Sequence, residues 1–162
     1  MPNWTKVKVI FFNKEDADRF IKYDAKEGER VFSFESIVPS PKTEEECKKI
    51  YPSFYNKNGF KGIEPLEDRP WFHWYNWNYI YWGTKWDACD SEYVDNGVIE
   101  LTFYSAWCYP EKVMDAMIHM TKGRVEITYA DEDYNDTWHM TYVSGELRRK
   151  WMNYDECGME AI

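Results

Sequence analysis

The feature that most restricts the fold is a rhythm that occurs twice: alternating apolar residues, then apolar residues every three or four positions, then alternation again. Near the start, WTKVKVIFF (residues 4–12) sets Val7, Val9 and Phe11 on one side of a strand and Lys6 and Lys8 on the other. Asn13 follows as a helix N-cap, and Glu15 and Asp16 suit the positive end of the helix dipole. Ala17, Phe20 and Ile21 then form an apolar stripe, so residues 14–26 are expected to be helical, closing near Gly28. VFSFESIV (31–38) reads as the returning strand, stopped by Pro39-Ser40-Pro41.

The second occurrence begins after Asn96-Gly97, a hairpin-turn signal. VIELTFYS (98–105) alternates Ile99, Leu101 and Phe103 with polar partners, and Pro110 stands where a first helical residue is favoured. Val113, Met114, Met117, Ile118 and Met120 make a helical face that ends at Gly123. RVEITYA (124–130) and TWHMTYV (137–143) are two further strands joined by the acidic turn DEDYND. Two β-α-β units imply an α+β, ferredoxin-like sandwich: one antiparallel sheet with two helices on one face and an extra C-terminal edge strand. A chain of 162 residues suits one such domain over 1–162, with 43–90 as a helical, Trp-rich insertion between its halves. Within the insertion, Thr43 and Glu46 form a capping box, Pro52 limits that helix, and residues 53–69 read as a loop. Residues 146–162 are expected to be a C-terminal tail, a short helix and a loose end.

The insertion holds WFHWYNWNYIYWGTKWDACD (71–90), in which nine of twenty side chains are aromatic. Trp71, Trp74, Tyr75, Asn78 and Trp82 recur at helical spacing up to Gly83, so these rings are expected to dock a helix on the core. In WGTKWDA the spacing changes. Lys85 lies between Trp82 and Trp86, within reach of a cation-π contact, and Asp87 is placed to pair with it. The first reading is a rigid corner. The alternative is a small-molecule pocket for a nucleotide, with Trp82 and Trp86 stacking on a base, Lys85 beside phosphate and Asp87 at the rim.

Charge narrows the function classes. Residues 1–62 carry a net +2 and residues 63–162 a net −11, for −9 overall. That balance disfavours direct nucleic-acid binding, which draws on Lys and Arg to neutralise phosphates, and it suits a basic protein partner. The acidic surface is expected to comprise Glu92, Asp95, Asp131, Glu132, Asp133 and Asp136. Cys47, Cys89, Cys108 and Cys157 are scattered without a C-x-x-C pair, so free and mostly buried thiols are expected, and no metal or cofactor. His73, Asp87 and Asp90 as acid and base, or Cys89 and Cys108 as nucleophiles, fit no known catalytic spacing, so no enzyme is expected. The acidic run 131–136 lacks the glutamate that closes a calcium loop and reads as a solvated turn. Without a signal-peptide pattern or a long apolar run, a cytoplasmic location is expected, without membrane association.

VFSFESIVPSPK, WGTKWDA and IELTFYSAWCYP, taken together over residues 30–130, resemble the YubB-type ferredoxin-like family of plasmid and bacteriophage proteins. The chain departs from that pattern at Tyr81, where Asn commonly precedes the WGTKW motif, and at Cys108-Tyr109. The resemblance implies a ferredoxin-like fold and a mobile-element origin in a bacterial host cell, and it implies no catalytic residues. The expected function is therefore a non-enzymatic binding protein that modulates or inhibits a host or defence protein, for example one with a basic nucleic-acid-binding surface.

Overall fold

Alternation decides which side of each strand is dry, and β1 (Trp4–Phe11) follows it strictly, burying Thr5, Val7, Val9 and Phe11. The computed structural model describes residues 2–24, 26, 28–50, 74–132 and 137–151. In chain order β1 is followed by α1 (Lys14–Phe20), β2 (Ile21–Asp24), β3 (Glu29–Phe32), a 3-10 turn (Phe34–Ser36), α2 (Glu44–Ile50) and α3 (Trp74–Tyr81). Then come β4 (Cys89–Asp95), β5 (Ile99–Ala106), α4 (Glu111–His119), β6 (Arg124–Asp131), β7 (Thr137–Val143) and β8 (Glu146–Trp151). The described strands form a six-stranded antiparallel sheet in the order β4-β5-β1-β6-β7-β8, and a separate β2-β3 hairpin. The fold is mixed α+β.

The core grows from the register. Val7 sits opposite Phe103 and Tyr129, Val9 opposite Leu101 and Ile127, and Phe11 opposite Ile99 and Val125. Onto this apolar face α4 lowers Val113, Met114, Met117 and Ile118, and α1 lowers Ala17 and Phe20, whose ring stacks on Phe11. Each of the larger of these side chains, fully covered, contributes about 1.5–3 kcal/mol.

Polar clamps fix the helices where greasy contact alone would let them slide. Asn13 caps α1 by accepting the Glu15 N–H at 3.0 Å. Asp16 is buried, and its carboxylate accepts the Lys122 and Gly123 N–H groups, tying α1 to the approach into β6. Gly123 must be glycine, because a Cβ there would lie 2.8 Å from the Asn13 Cβ. Arg19 donates to the Met120 carbonyl at 2.5 Å and holds the far end of α4.

Several expectations are corrected. The helix expected over 14–26 ends at Phe20, and Ile21–Asp24 turns into a strand paired with Glu29–Phe32. β-branched and aromatic residues there gain more from pairing than from another helical turn. The strand expected over 31–38 therefore stops at Phe32, lies outside the main sheet, and is followed by the 3-10 turn. The place beside β5 is taken by β4, a hydrophilic edge strand not foreseen, and Asn96-Gly97 closes the β4-β5 hairpin. The tail expected as a helix begins as β8, which pairs with β7 and presents Glu146 to Lys150 to solvent. In α2, the Glu46 N–H reaches Thr43 as foreseen, while the Glu46 carboxylate accepts from the Lys42 N–H. The loop 53–69, Trp71, His73 and the chain after Trp151 lie outside the described residues. Among the described helices none is long and apolar enough to cross a membrane.

Candidate functional site

The WGTKWDA segment is a corner in which most polar atoms answer to the backbone. The Trp82 indole is buried, packs edge-on to Phe34 at 5.7 Å, and donates its Nε1–H to the Val38 carbonyl at 2.8 Å. Gly83 takes φ +83, which lets the chain reverse after α3. Thr84 donates to the Ala106 carbonyl and Asn78 to the Lys85 carbonyl. The Asp87 carboxylate accepts from the Ser33 hydroxyl at 2.5 Å, the Phe34 N–H at 2.6 Å and the Ala88 N–H at 2.7 Å. Asp87 thus holds the start of the 3-10 turn and does not pair with Lys85. Nor do Trp82 and Trp86 bracket that lysine: its ammonium lies 5.0 Å from the Tyr75 ring and 5.9 Å from that of Trp107. Trp86 is exposed on the other side, 6.2 Å from Trp4.

The acidic residues singled out in the sequence do not converge. Glu92 and Asp95 lie on edge strand β4, with Asp95 opposite Ile99 and in an ion pair with Lys14 at 3.5 Å. Asp131 is opposite Thr5, at the other end of β1, and Glu132 accepts the Trp4 N–H at 2.9 Å. The two groups are separated by β5 and β1 laterally and by roughly 10 Å (Glu92) to 20 Å (Asp95) along the strands. Asp133 and Asp136 lie outside the described residues.

A different acidic feature is assembled where α4 runs alongside β6, β7 and β8. Glu111 and Asp115 are one turn apart on the polar side of α4, and His119 follows one turn later, its Nδ1 2.7 Å from the Asp115 carbonyl. Tyr109 leads into this helix from below, its ring stacked on Tyr129 of β6 at 4.2 Å and 13°. Tyr142 and Met140 come from β7, and Leu147 and Lys150 from β8. Together with Cys108 they line an open cleft of about 570 Å³, within the usual size of a small-ligand site.

The electrostatics of this cleft are unbalanced. Among the described residues neither Glu111 nor Asp115 has a basic group within ion-pair distance. Lys112, next to Glu111 in sequence, turns away to the Ile80 carbonyl at 2.6 Å. Lys150 lies over the Trp138 ring at 4.4 Å. Burial, and then the neighbouring Glu111 charge, raise the Asp115 carboxyl above its ordinary value, against a smaller lowering pull from His119 and Lys150. Burial also drives the Tyr109 phenol well above the ordinary range, with Tyr142 and Asp115 adding to it. The Tyr109 hydroxyl oxygen is fully covered and has no hydrogen-bond partner among the described residues. Tyr142 offers its hydroxyl to the Met140 sulfur at 3.4 Å.

Cys108 is exposed rather than buried as expected, and its thiol leans on the Gly83 carbonyl at 3.2 Å. Partial desolvation of the sulfur raises Cys108, and with the Asp90 and Asp87 charges Cys89, above the usual thiol range, which makes both weak nucleophiles near neutral pH. On the opposite face of the sheet His139 bonds Thr128 at 2.8 Å, lies 5.0 Å from the Trp151 ring, and is pushed down mainly by burial. Arg124 pairs there with Glu126. Among the described residues no three His, Cys, Asp or Glu side chains group as ligands for a metal ion.

The cleft residues escaped sequence reading because they come from five places in the chain. The signal that was present is the stripe Glu111, Asp115, His119, acidic and ionisable along one edge of a helix preceded by tyrosine. Comparison with known protein families, curated proteins and solved structures finds no match.

Proposed function

We infer that the chain is a non-catalytic binding protein for a basic partner, and that its recognition surface centres on the cleft between α4 and β6–β8. The observation that carries this reading is the pair Glu111 and Asp115, held one turn apart beside tyrosine rings with no basic group at ion-pair distance among the described residues, Lys150 and His119 acting on Asp115 only from farther off. Folding gains nothing from bringing two like charges together at a partly desolvated site, so their natural complement is a positive group from outside. The net −11 of residues 63–162 adds a long-range field that steers such a partner inward.

The scaffold supports the same reading. β4-β5-β1-β6, with α1 following β1 and α4 joining β5 to β6, has the strand order of a ferredoxin-like sandwich, with β7 and β8 added beyond β6. We read the fold as that sandwich, elaborated by the β2-β3 hairpin and the α2–α3 insertion. The added strands build the far wall of the cleft.

The test is retention of bacterial lysate proteins on the immobilised chain, compared with the double variant Glu111→Gln/Asp115→Asn at low and high salt. Basic proteins held at low salt, released at high salt and lost with the double variant are the expected result. Equal retention by both chains removes the cleft from the function.

A further inference from the structure

We propose that the outer side of the WGTKWDA corner is a binding site for a free mononucleotide, with its phosphate on Lys85 and its base laid against Trp107. This site is separate from the acidic cleft, and its ligand lies beyond the binding role above.

Lys85 is the exception in a corner whose other polar groups are answered. It is half-buried and its backbone is fixed, because its carbonyl accepts from the Asn78 amide at 2.8 Å while Thr84 beside it donates to the Ala106 carbonyl. Its ammonium lies 5.0 Å from the Tyr75 ring and 5.9 Å from the Trp107 ring. Among the described residues it has neither a carboxylate within ion-pair distance nor a hydrogen-bond acceptor. Rings hold the charge in place without accepting its N–H donors as an oxygen would. A phosphate supplies those oxygens, and lysine meets it as a point charge.

Trp107 is a second, independent observation. Its φ is +75, a left-handed conformation that is a genuine outlier for a bulky side chain. Its N–H is held by the Asn3 carbonyl at 2.7 Å, yet its indole is 51% exposed. Burial therefore does not offset the strain: an unfavourable backbone keeps a large apolar ring facing water, as a contact surface requires. Trp74, itself exposed and edge-on to Tyr75 at 5.7 Å, continues the aromatic wall beyond the lysine. An exposed indole offers a flat face on which any base stacks. Tyr75 and Trp107 thus take the places beside Lys85 that sequence spacing assigned to Trp82 and Trp86.

Charge sets the size of the ligand. Residues 63–162 carry a net −11, so a chain of phosphates gains one contact at Lys85 and meets repulsion along the rest of its length. A mononucleotide joins a single phosphate to a single base and uses both features of the site.

The experiment titrates the full chain, labelled with nitrogen-15, with adenosine monophosphate, adenosine, inorganic phosphate and a short oligoadenylate at matched ionic strength. Adenosine monophosphate should shift amides within residues 74–86 and 106–108 and bind about tenfold tighter than adenosine or inorganic phosphate, while the oligoadenylate binds no tighter per nucleotide. Lys85→Gln should weaken the monophosphate about tenfold, to the level of adenosine. Trp107→Gly should weaken it as much and leave the urea midpoint little changed or higher, since glycine takes this φ freely. Equal affinity for the monophosphate and inorganic phosphate, binding indifferent to Lys85→Gln in a chain whose spectrum remains native, or no shift at all would overturn the proposal. Tighter binding of the oligoadenylate per nucleotide would assign the site to single-stranded nucleic acid instead and overturn the free nucleotide. A marked fall in the urea midpoint of Trp107→Gly would make the indole structural and sink the proposal as well.

Discussion

The WGTKWDA corner and the α4 cleft are built from the same materials, aromatic rings and charged side chains, and they meet at Cys108, which bonds Gly83 on one side and lines the cleft on the other. What separates them is how their charged groups are met. In the corner the Asp87 carboxylate accepts from two N–H groups and a hydroxyl, and the Trp82 indole has its carbonyl. In the cleft, among the described residues, two carboxylates have no basic group at ion-pair distance and a phenol has no hydrogen bond. Rings with satisfied polar neighbours are architecture; rings beside unsatisfied ones are where a ligand has something to contribute.

Substitutions should divide the two regions by sign as well as by size. Trp82→Ala removes a buried ring and its hydrogen bond, and a loss of about 3–5 kcal/mol is expected from the shift in urea midpoint. An effect under about 1 kcal/mol would mean that the corner is not part of the core. Asp87→Ala frees the Phe34 and Ala88 N–H groups and the Ser33 hydroxyl, and should cost roughly 2–3 kcal/mol by the same measurement. Asp115→Asn should cost nothing or raise stability slightly. Its carboxyl is raised in the folded chain, so the native state holds that proton more readily than the unfolded one, and stability falls as pH rises from the ordinary carboxylate range through the folded value. The advantage of the Asn variant over the parent should therefore appear across that window and then level off. A variant that is less stable at neutral pH than at acid pH, relative to the parent, would show that Asp115 has a stabilising partner and would move the cleft into the same class as the corner.

Much of the fold could be read from residues because one-sided burial writes itself into sequence. Val7, Val9 and Phe11, then Ile99, Leu101 and Phe103, then Val125 and Ile127 each alternate against polar neighbours, and each is a strand of the sheet. The edges were harder. CDSEYVD has Tyr93 as its one large residue packed against the core, and ELRRKW is exposed along nearly its whole length. Strands with little to bury, and with charges that discourage unwanted pairing, carry almost no alternation. Helix α1 was overdrawn because Ile21 extends an apolar stripe as well as it starts a strand, and only the partner Phe32 decides between them. The cleft was invisible for another reason. Tyr129 and Tyr142 were legible as members of alternating strands, but their meeting with Tyr109 and Asp115 depends on where α4 comes to rest.

The hairpin turn at Ser144-Gly145 determines how far that resting place can move. Gly145 has φ +78, and any Cβ on it would come within 3.2 Å of the Ile118 carbonyl, so the turn is seated against the last winding of the helix. Helix and outer strands are thereby buttressed at one end, and the start of α4 is held as well, where Lys112 donates to the Ile80 carbonyl. With both ends of the helix pinned, the width of the cleft is set by the scaffold before any guest arrives.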